Sequence, residues 1–414
     1  MNGLRLVLVT RRFWPLVGGV ETATLTLACA LRALGASPTI VTGRHDPQWP
    51  TDVAPREVPV HRLPCSPSRW GMLRYLIALS RWLRRNRPDI DLVCVSRLAH
   101  EAHTAIGALA ASGIPVVIRA EADESFDWAS PDRSGHPATR TLRRYLQAAA
   151  VVAATSPVQE RLEQLGFARQ KLYQIGNGVK RFPPRCPALK TAARRTLAAV
   201  NEDLRVPAQQ PVALCIGQLH PRIAWDLVID AWAWVAREWP FARLWLVGDG
   251  PQRETLYRRI RDADLVGRVL MPGTFDSTDE LLLAADLLVV PACEQKESLA
   301  VLEAMAAGLP VLVSAESGHA DLVTDGVTGR VFASRNPRAL AAAIRSAFHH
   351  PMQGDALAAA LRSSPAVVLM QTRAHNPTGA SLTVERAKQL AFALYRIVGT
   401  PAALDPDAAT AVAG

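Results

Sequence analysis

Residues 291–310 read Pro-Ala-Cys-Glu-Gln-Lys-Glu-Ser-Leu-Ala-Val-Leu-Glu-Ala-Met-Ala-Ala-Gly-Leu-Pro. The apolar run before them, Leu287–Pro291, has the length and composition of a buried strand. A polar loop follows and ends at Ser298, a residue type that starts helices, and Gly308 supplies a stop. A helix N-terminus offers unpaired backbone N–H groups, so a strand–loop–helix unit of this kind suits a diphosphate. Glu303, one turn inside the helix, carries a carboxylate that can accept two ribose hydroxyls. Any crossover helix would bury Leu302 and Met305 against a sheet, but packing does not explain a glutamate beside them.

Outward from this unit the pattern repeats. Short apolar runs alternate with longer helical ones, which is the signature of parallel α/β architecture. In the first half, strands are expected near Leu4–Thr10, Pro38–Thr42, Leu92–Val95, Pro115–Arg119, Val151–Thr155 and Leu172–Ile175. In the second half they are expected near Val212–Gly217, Arg243–Val247, Val269–Met271, Leu287–Pro291 and Val311–Ser314. Both halves open with a strand, a glycine-containing loop and an amphipathic helix. The expected fold class is therefore α/β, with two Rossmann-like domains facing a cleft. In open sheets of this type ligands bind beyond the carboxyl ends of the strands. The boundaries read as residues 1–180 for the first domain, 181–210 for a Pro- and Arg-rich linker, and 211–350 for the second domain. Residues 351–400 read as a C-terminal segment with a last helix crossing back to the first domain, and 401–414 as a disordered tail.

A length of 414 residues suits two domains, and an apolar content near half places the chain among globular proteins. The six cysteines are scattered, without CxxC or metal-ligand spacing, which points to a reduced compartment and no structural zinc. Met1–Thr10 runs directly into a strand-like segment, unlike a secretory leader. No apolar run reaches the roughly 20 residues that span a bilayer. The expected location is cytoplasmic, with peripheral contact at the inner membrane face an added possibility. The formal charge of +10 favours acidic partners without choosing among them.

Residues 291–310 resemble the Glu-x7-Glu region of the family 4 retaining glycosyltransferases, whose "LEAMAxGxPV" signature is specific. The resemblance extends over roughly residues 5–344. Arg12-Phe13-Trp14-Pro15 followed by Gly18, Gly19 and Glu21 resembles the family's "P-x-x-GG-x-E" loop, where glycine lets the backbone approach the donor diphosphate. Arg119, Glu121, Asp127 and Trp128 resemble an "RxEG…GD" stretch. Asn177-Gly178-Val179 matches "PNGVD", and Gly248-Asp249-Gly250-Pro251 matches "GxGP". An Asn-Gly turn alone is common, but the ordered set is specific. The resemblance implies a GT-B fold, an acceptor bound mainly by the first domain, and a UDP- or GDP-linked sugar bound by the second. It implies retention, no essential metal and no resident cofactor, the nucleotide sugar being a substrate. The acceptor would be a glycan or lipid-linked sugar, as in polysaccharide assembly. Donor binding would fall to Gly18, Gly19, Gln218, Arg222, Lys296, Ser298, Leu299 and Glu303, with Gln295, Glu297 and Glu121 beside the reacting sugar.

The sequence departs from the family at the chemistry. Where the family has "GRLxxxKG", residues 217–224 place Gln218 at the arginine and Ile223 at the lysine. The first glutamate of Glu-x7-Glu is Gln295, and Glu121 stands where the family often has histidine. Charge-assisted hydrogen bonds contribute roughly 1.5–3 kcal/mol each. Losing two without replacement would slow the reaction by about 10²- to 10⁴-fold. Arg222 and Lys296 could restore the charge, and Glu294 or Glu297 the carboxylate. The rival reading is a catalytically impaired relative that binds nucleotide or acts as a scaffold. A nicotinamide-dependent oxidoreductase ranks last, because no GxGxxG follows the first strand.

Two stretches stand apart. Residues 69–87 contain no acidic side chain. As a helix they gather Arg74, Arg81, Arg84 and Arg85 on one face and Met72, Leu76, Leu79 and Leu83 on the other. Such a helix can lie on an anionic membrane surface, or its apolar face can simply cover a sheet, which is the preferred reading. Nucleic-acid binding is not expected, for want of a basic face with stacking aromatics. Residues 355–385, with His375-Asn376-Pro377-Thr378-Gly379, resemble a fragment of the pyridoxal-phosphate aminotransferases. No matching lysine region accompanies it, and no PLP is expected.

Overall fold

The computed structural model describes residues 3–351, apart from residues 17, 67, 121–135, 155, 176–181, 222, 292–297, 318–319 and 321–322. The first half builds a sheet from β1 (Arg5–Val9), β2 (Ser37–Arg44), β3 (Asp52–Val53), β4 (Val60–Pro64), β5 (Leu92–Val95), β6 (Val116–Ala120), β7 (Ala150–Ala153) and β8 (Leu172–Gln174). The strand order is β3-β4-β2-β1-β5-β6-β7-β8. All neighbours are parallel except the short β3, which runs antiparallel to β4. Crossovers are made by α1 (Gly19–Ala33), α2 (Arg69–Asn86), α3 (His100–Leu109), α4 (His136–Tyr145) and α5 (Ser156–Gln164).

The second sheet holds β9 (Val212–Ile216), β10 (Arg243–Val247), β11 (Val269–Gly273), β12 (Leu287–Val290), β13 (Val311–Ser314) and β14 (Gly329–Phe332). Its order is β11-β10-β9-β12-β13-β14, parallel throughout. Around it lie α6 (Pro187–Val200), α7 (Trp225–Glu238), α8 (Arg253–Asp262), α9 (Asp279–Ala284), α10 (Leu299–Ala306) and α11 (Pro337–His349). The two Rossmann-like sheets expected from the alternating pattern are therefore present.

The period-two rule of strands sorts the core. Leu6 and Leu8 face one apolar layer, while Val7 and Val9 face the other. In the second sheet Val212 and Leu214 point one way, Ala213 and Cys215 the other. Both faces of each sheet are covered, as parallel sheets require. The stretch 181–210, expected as a linker, contains α6. Its alanines and leucines outweigh the flanking prolines. Phe182, Ala193, Leu197, Leu204 and Val206 join the core of the second sheet.

Each sheet has a switch point, where the chain first builds to one side of a strand and then returns on the other. In the first it lies between β1 and β5, in the second between β9 and β12. Both switch points are pinned at their N-terminal ends in the same way. Asp91, just before β5, accepts from the backbone N–H of Arg5 at 2.7 Å and from its guanidinium at 2.8 and 3.2 Å. Asp286, just before β12, accepts from the backbone N–H of Val212 at 2.9 Å and from Arg194 Nη2 at 3.1 Å, with Lys190 on its other oxygen. Arg194 is nearly fully buried and also donates to Ala284 O at 3.0 Å and Ala208 O at 3.1 Å. This network ties α6 to the second sheet.

Asp286→Ala strands Arg194 and the N–H of Val212, and should cost about 3 kcal/mol in denaturant unfolding; a cost below about 1 kcal/mol would show that the network is not a pin. The hydrogen bonds from Arg5 hold the Asp91 carboxyl below its ordinary range. The stability it contributes is present above the ordinary carboxylate range and lost as pH falls through the lowered folded-state value. Asp91→Asn should therefore lower the melting temperature at neutral pH and narrow the difference from the parent protein in acid.

Candidate functional site

The loop after β1 is held at several points. The Arg11 carbonyl accepts from Gly43 N at 3.1 Å and Thr42 Oγ1 at 3.3 Å, and lies 3.0 Å from His45 Nε2. Phe13 is sunk in the core. Arg62 on β4, almost wholly buried, donates to the Trp14 carbonyl at 2.9 Å and the Pro50 carbonyl at 2.8 Å. Its guanidinium packs against the indoles of Trp14 and Trp49, 5.6 Å from each ring centre. Burial lowers the pKa of Arg62.

This loop delivers the chain to the N-terminus of α1. Gly18 is the N-cap, in extended backbone, and Glu21 in the first turn folds back over it. A Cβ on Gly18 would come 2.4 Å from Glu21 Oε2, so glycine makes room for that carboxylate. Glu21 in turn lies 3.5 Å from Arg12 Nε. Gly19, the first helical residue, faces the other sheet. A Cβ there would stand 3.8 Å from Leu299 Cβ, filling the gap between the two helix starts. Leu299 is the first residue of α10, with Ser298 at its N-cap position in extended backbone. The Ser298 hydroxyl does not cap the helix, although the sequence had suggested that role. At the far end the stop is as expected: Gly308 has φ +65°, and Leu309 N donates to Ala304 O at 2.8 Å. Glu303 sits one turn into α10, half-buried, and accepts from Thr278 Oγ1 at 3.2 Å.

The α1 N-terminus follows β1 and the α10 N-terminus follows β12, both strands of a switch point. Two helix N-termini, with their N–H groups and positive dipole ends, thus converge from opposite sheets.

A second pair of loops borders α10's sheet. Gly217 N donates to Val247 O at 3.0 Å, Leu219 N to Asp249 O at 2.9 Å, and Gln252 N to Leu219 O at 3.0 Å. Gly248 has φ +145°, and a Cβ on it would fall 1.8 Å from Gly217 O. No other residue fits there. Gln218 is exposed, and its carbonyl accepts from Trp225 Nε1 at 3.0 Å. Ile223 packs against the apolar layers on both faces of the sheet. At this position an apolar side chain serves the core where the family pattern has a lysine.

Of the expected site residues, the structure brings together Gly18, Gly19, Ser298 and Leu299, with Glu303 one turn behind and Gln218 on the neighbouring loop of the second sheet. Glu121, Arg222, Gln295, Lys296 and Glu297 lie outside the described residues, as do Asp127, Trp128 and Asn177–Val179. Two contributors gave no signal in the sequence: Thr278, in a polar loop, and Arg62, an arginine in a short strand. Among the described residues no three His, Cys, Asp or Glu side chains gather to hold a metal. The Cys94 thiol is pushed up to about 11 by burial and is inert at neutral pH.

Comparison with known proteins decides the family. The pattern described as Glycosyltransferase Family 4 matches residues 17–181, and the one described as Glycosyl transferases group 1 matches residues 210–350. The chain belongs to the group 1 glycosyltransferases of family 4. Among curated relatives, the lipopolysaccharide core biosynthesis glycosyltransferase LpsE of Rhizobium meliloti is 30% identical over 179 residues, 43% of this chain and 48% of that one. The chain spans about half the length of the curated relatives it matches, or less. Among solved structures, WaaG, a glycosyltransferase involved in lipopolysaccharide biosynthesis, superposes with a TM-score of 0.69 at 17% identity, over 95% of this chain and 100% of that one. Anabaena HepE in complex with UDP and glucose gives 0.68 at 18%, over 94% and 99%. The two sheets therefore form a GT-B fold.

Gly248→Ala must displace the Gly217 carbonyl and strain a positive φ, at a cost of about 3 kcal/mol. Chemical denaturation checks this, and a variant as stable as the parent would show that the two loops are not locked together.

Proposed function

We propose that this family member transfers a sugar, with retention, from a UDP- or GDP-linked donor to a glycan or lipid-linked acceptor. The observation that carries the reading is the meeting of the α1 and α10 N-termini, with Gly19 against Leu299. A diphosphate between them would be met by backbone N–H groups from both domains and would need no metal or resident cofactor. Glu303 would take the ribose hydroxyls, held in place by Thr278. Catalysis requires that charge developing on the leaving diphosphate be stabilised. The two helix ends supply part of this, and Arg222 and Lys296, neighbours in sequence of the altered positions, supply the rest. Gln295, Glu297 and Glu121 would face the reacting sugar, and the acceptor would sit on the first domain. Retention comes from the resemblance to family 4. The lipopolysaccharide roles of LpsE and WaaG support a cell-surface glycan or glycolipid acceptor, and the HepE complex supports UDP. No helix of the described residues is long and apolar enough to cross a membrane. We place the protein in the cytoplasm, in peripheral contact with the anionic inner membrane face through residues 69–87.

A second reading, an impaired transferase that keeps nucleotide affinity, is favoured by Ile223, whose side chain belongs to the core. Thermal shift with UDP and GDP separates the possibilities when paired with a donor-hydrolysis assay. The expected outcome is a rise in melting temperature with one of the two. Arg222→Ala and Glu303→Ala should each weaken it by about tenfold or more, the equivalent of roughly 1.5–3 kcal/mol. No shift with either nucleotide would sink the donor site. Binding without turnover would favour the impaired enzyme.

A further inference from the structure

The loops of the second sheet carry less positive charge than the family pattern supplies. Gln218 stands at the arginine position, and the Ile223 side chain belongs to the core. Arg253, at the start of α8, is committed to its own domain. Its Nη1 lies 3.8 Å from Asp249, and its Nη2 donates to the Met271 carbonyl at 3.3 Å. On the first domain Arg11 pairs with the buried Glu101 at 3.8 Å, and Arg62 is sunk between two indoles. Arg12 differs from all of these. Its side chain is 47% exposed, and the one acid within reach among the described residues is Glu21, 3.5 Å from Nε.

The Glu21 side chain is only 11% exposed, and its two oxygens do different things. Oε1 meets Arg12. Oε2 stands 2.4 Å from the place a Cβ on Gly18 would take, over the N-cap of α1. The span of a single carboxylate therefore separates the Arg12 guanidinium from the helix end. A glutamate at the third helical position can cap its own helix, which accounts for Oε2 but does not require an exposed arginine beside it. A helix N-terminus draws anions, and here the chain's own carboxylate, with an arginine against it, stands at that place.

We propose that Arg12 is a ligand of the donor's diphosphate, and that Glu21 holds it at the helix end until the diphosphate arrives. The inference rests on the donor reading given above and deepens it by adding a cation from the first domain. A half-exposed ion pair with one long contact contributes little, whereas a guanidinium on phosphate makes two parallel charge-assisted bonds. The diphosphate therefore takes Arg12 from Glu21. Charge that develops on the leaving group is then met from the side of the first domain, opposite the altered loops. Glu21 competes with the ligand for the same helix end, so its charge lowers the affinity.

The test is calorimetric titration of the full-length protein with UDP, GDP, uridine, guanosine and inorganic pyrophosphate. Arg12→Gln should weaken the diphosphate that the parent binds by about tenfold or more and leave the matching nucleoside unchanged. Arg12→Lys, which keeps the charge but not the fork, should fall between the two. Glu21→Gln keeps the capping oxygen and removes the charge, and should tighten the diphosphate severalfold. The double variant separates contact from screening. If Arg12 touches phosphate, Arg12→Gln/Glu21→Gln stays about tenfold or more weaker than Glu21→Gln alone. Equal affinity of those two variants would show that Arg12 only screens Glu21 and would overturn the proposal. Unchanged diphosphate binding by Arg12→Gln, or an equal loss for the nucleoside, would overturn it as well. The exposed Arg12 side chain can be replaced with circular dichroism matching the parent. A parent protein that binds pyrophosphate through Arg12 but neither nucleotide would sink the donor reading and leave this site standing. One that binds none of the five would sink both.

Discussion

Two carboxylates set the frame on which everything else is hung. Asp91 and Asp286 stand before the strands that flank the central strand of each sheet, and each takes the N–H at the start of that central strand. The two sheets are thus closed at the same topological place by the same device. The reversal of strand order at this place then opens the crevice at the other end. The pins stand at the N-terminal ends of the strands, which leaves the loops at the open ends to carry chemistry.

At the open ends the important contacts are backbone rather than side chain. Glycine at residue 18 lets one helix start be covered by its own glutamate, and Gly19 beside it faces Leu299 of the other sheet's helix. The charges that remain nearby are arranged in pairs, Arg12 with Glu21 and Arg11 with Glu101 at 3.8 Å. An incoming diphosphate would find a helix end already partly screened by Glu21, with Arg12 beside it. The departures from the family pattern at Gln218 and Ile223 belong to the loop after β9, at the opposite end of the second sheet's strands from Asp286. They alter what the cleft can hold without loosening the frame.

The sequence revealed most of this frame because the strands are runs of Val, Leu and Ile long enough to be unmistakable. Three strands escaped notice for a physical reason. The pairs in β3 are too few to form a pattern, β4 places His61 and Arg62 among its apolar residues, and β14 is interrupted by Arg330. Prolines around residue 185 suggested a linker and obscured an alanine-rich helix whose arginine is buried by Asp286. Within the site, helix starts and glycines could be read from spacing alone. Thr278 could not, because its link to Glu303 joins residues 25 apart through folding rather than pattern.

The lean of Gly248 on Gly217 has one more consequence. Loops that must be ordered on binding draw that entropy from affinity. The two loops of the second sheet are already bonded to each other at Gly217, Leu219 and Gln252, so they present a preset half-site to a ligand. A ligand that meets these two loops finds them ordered beforehand.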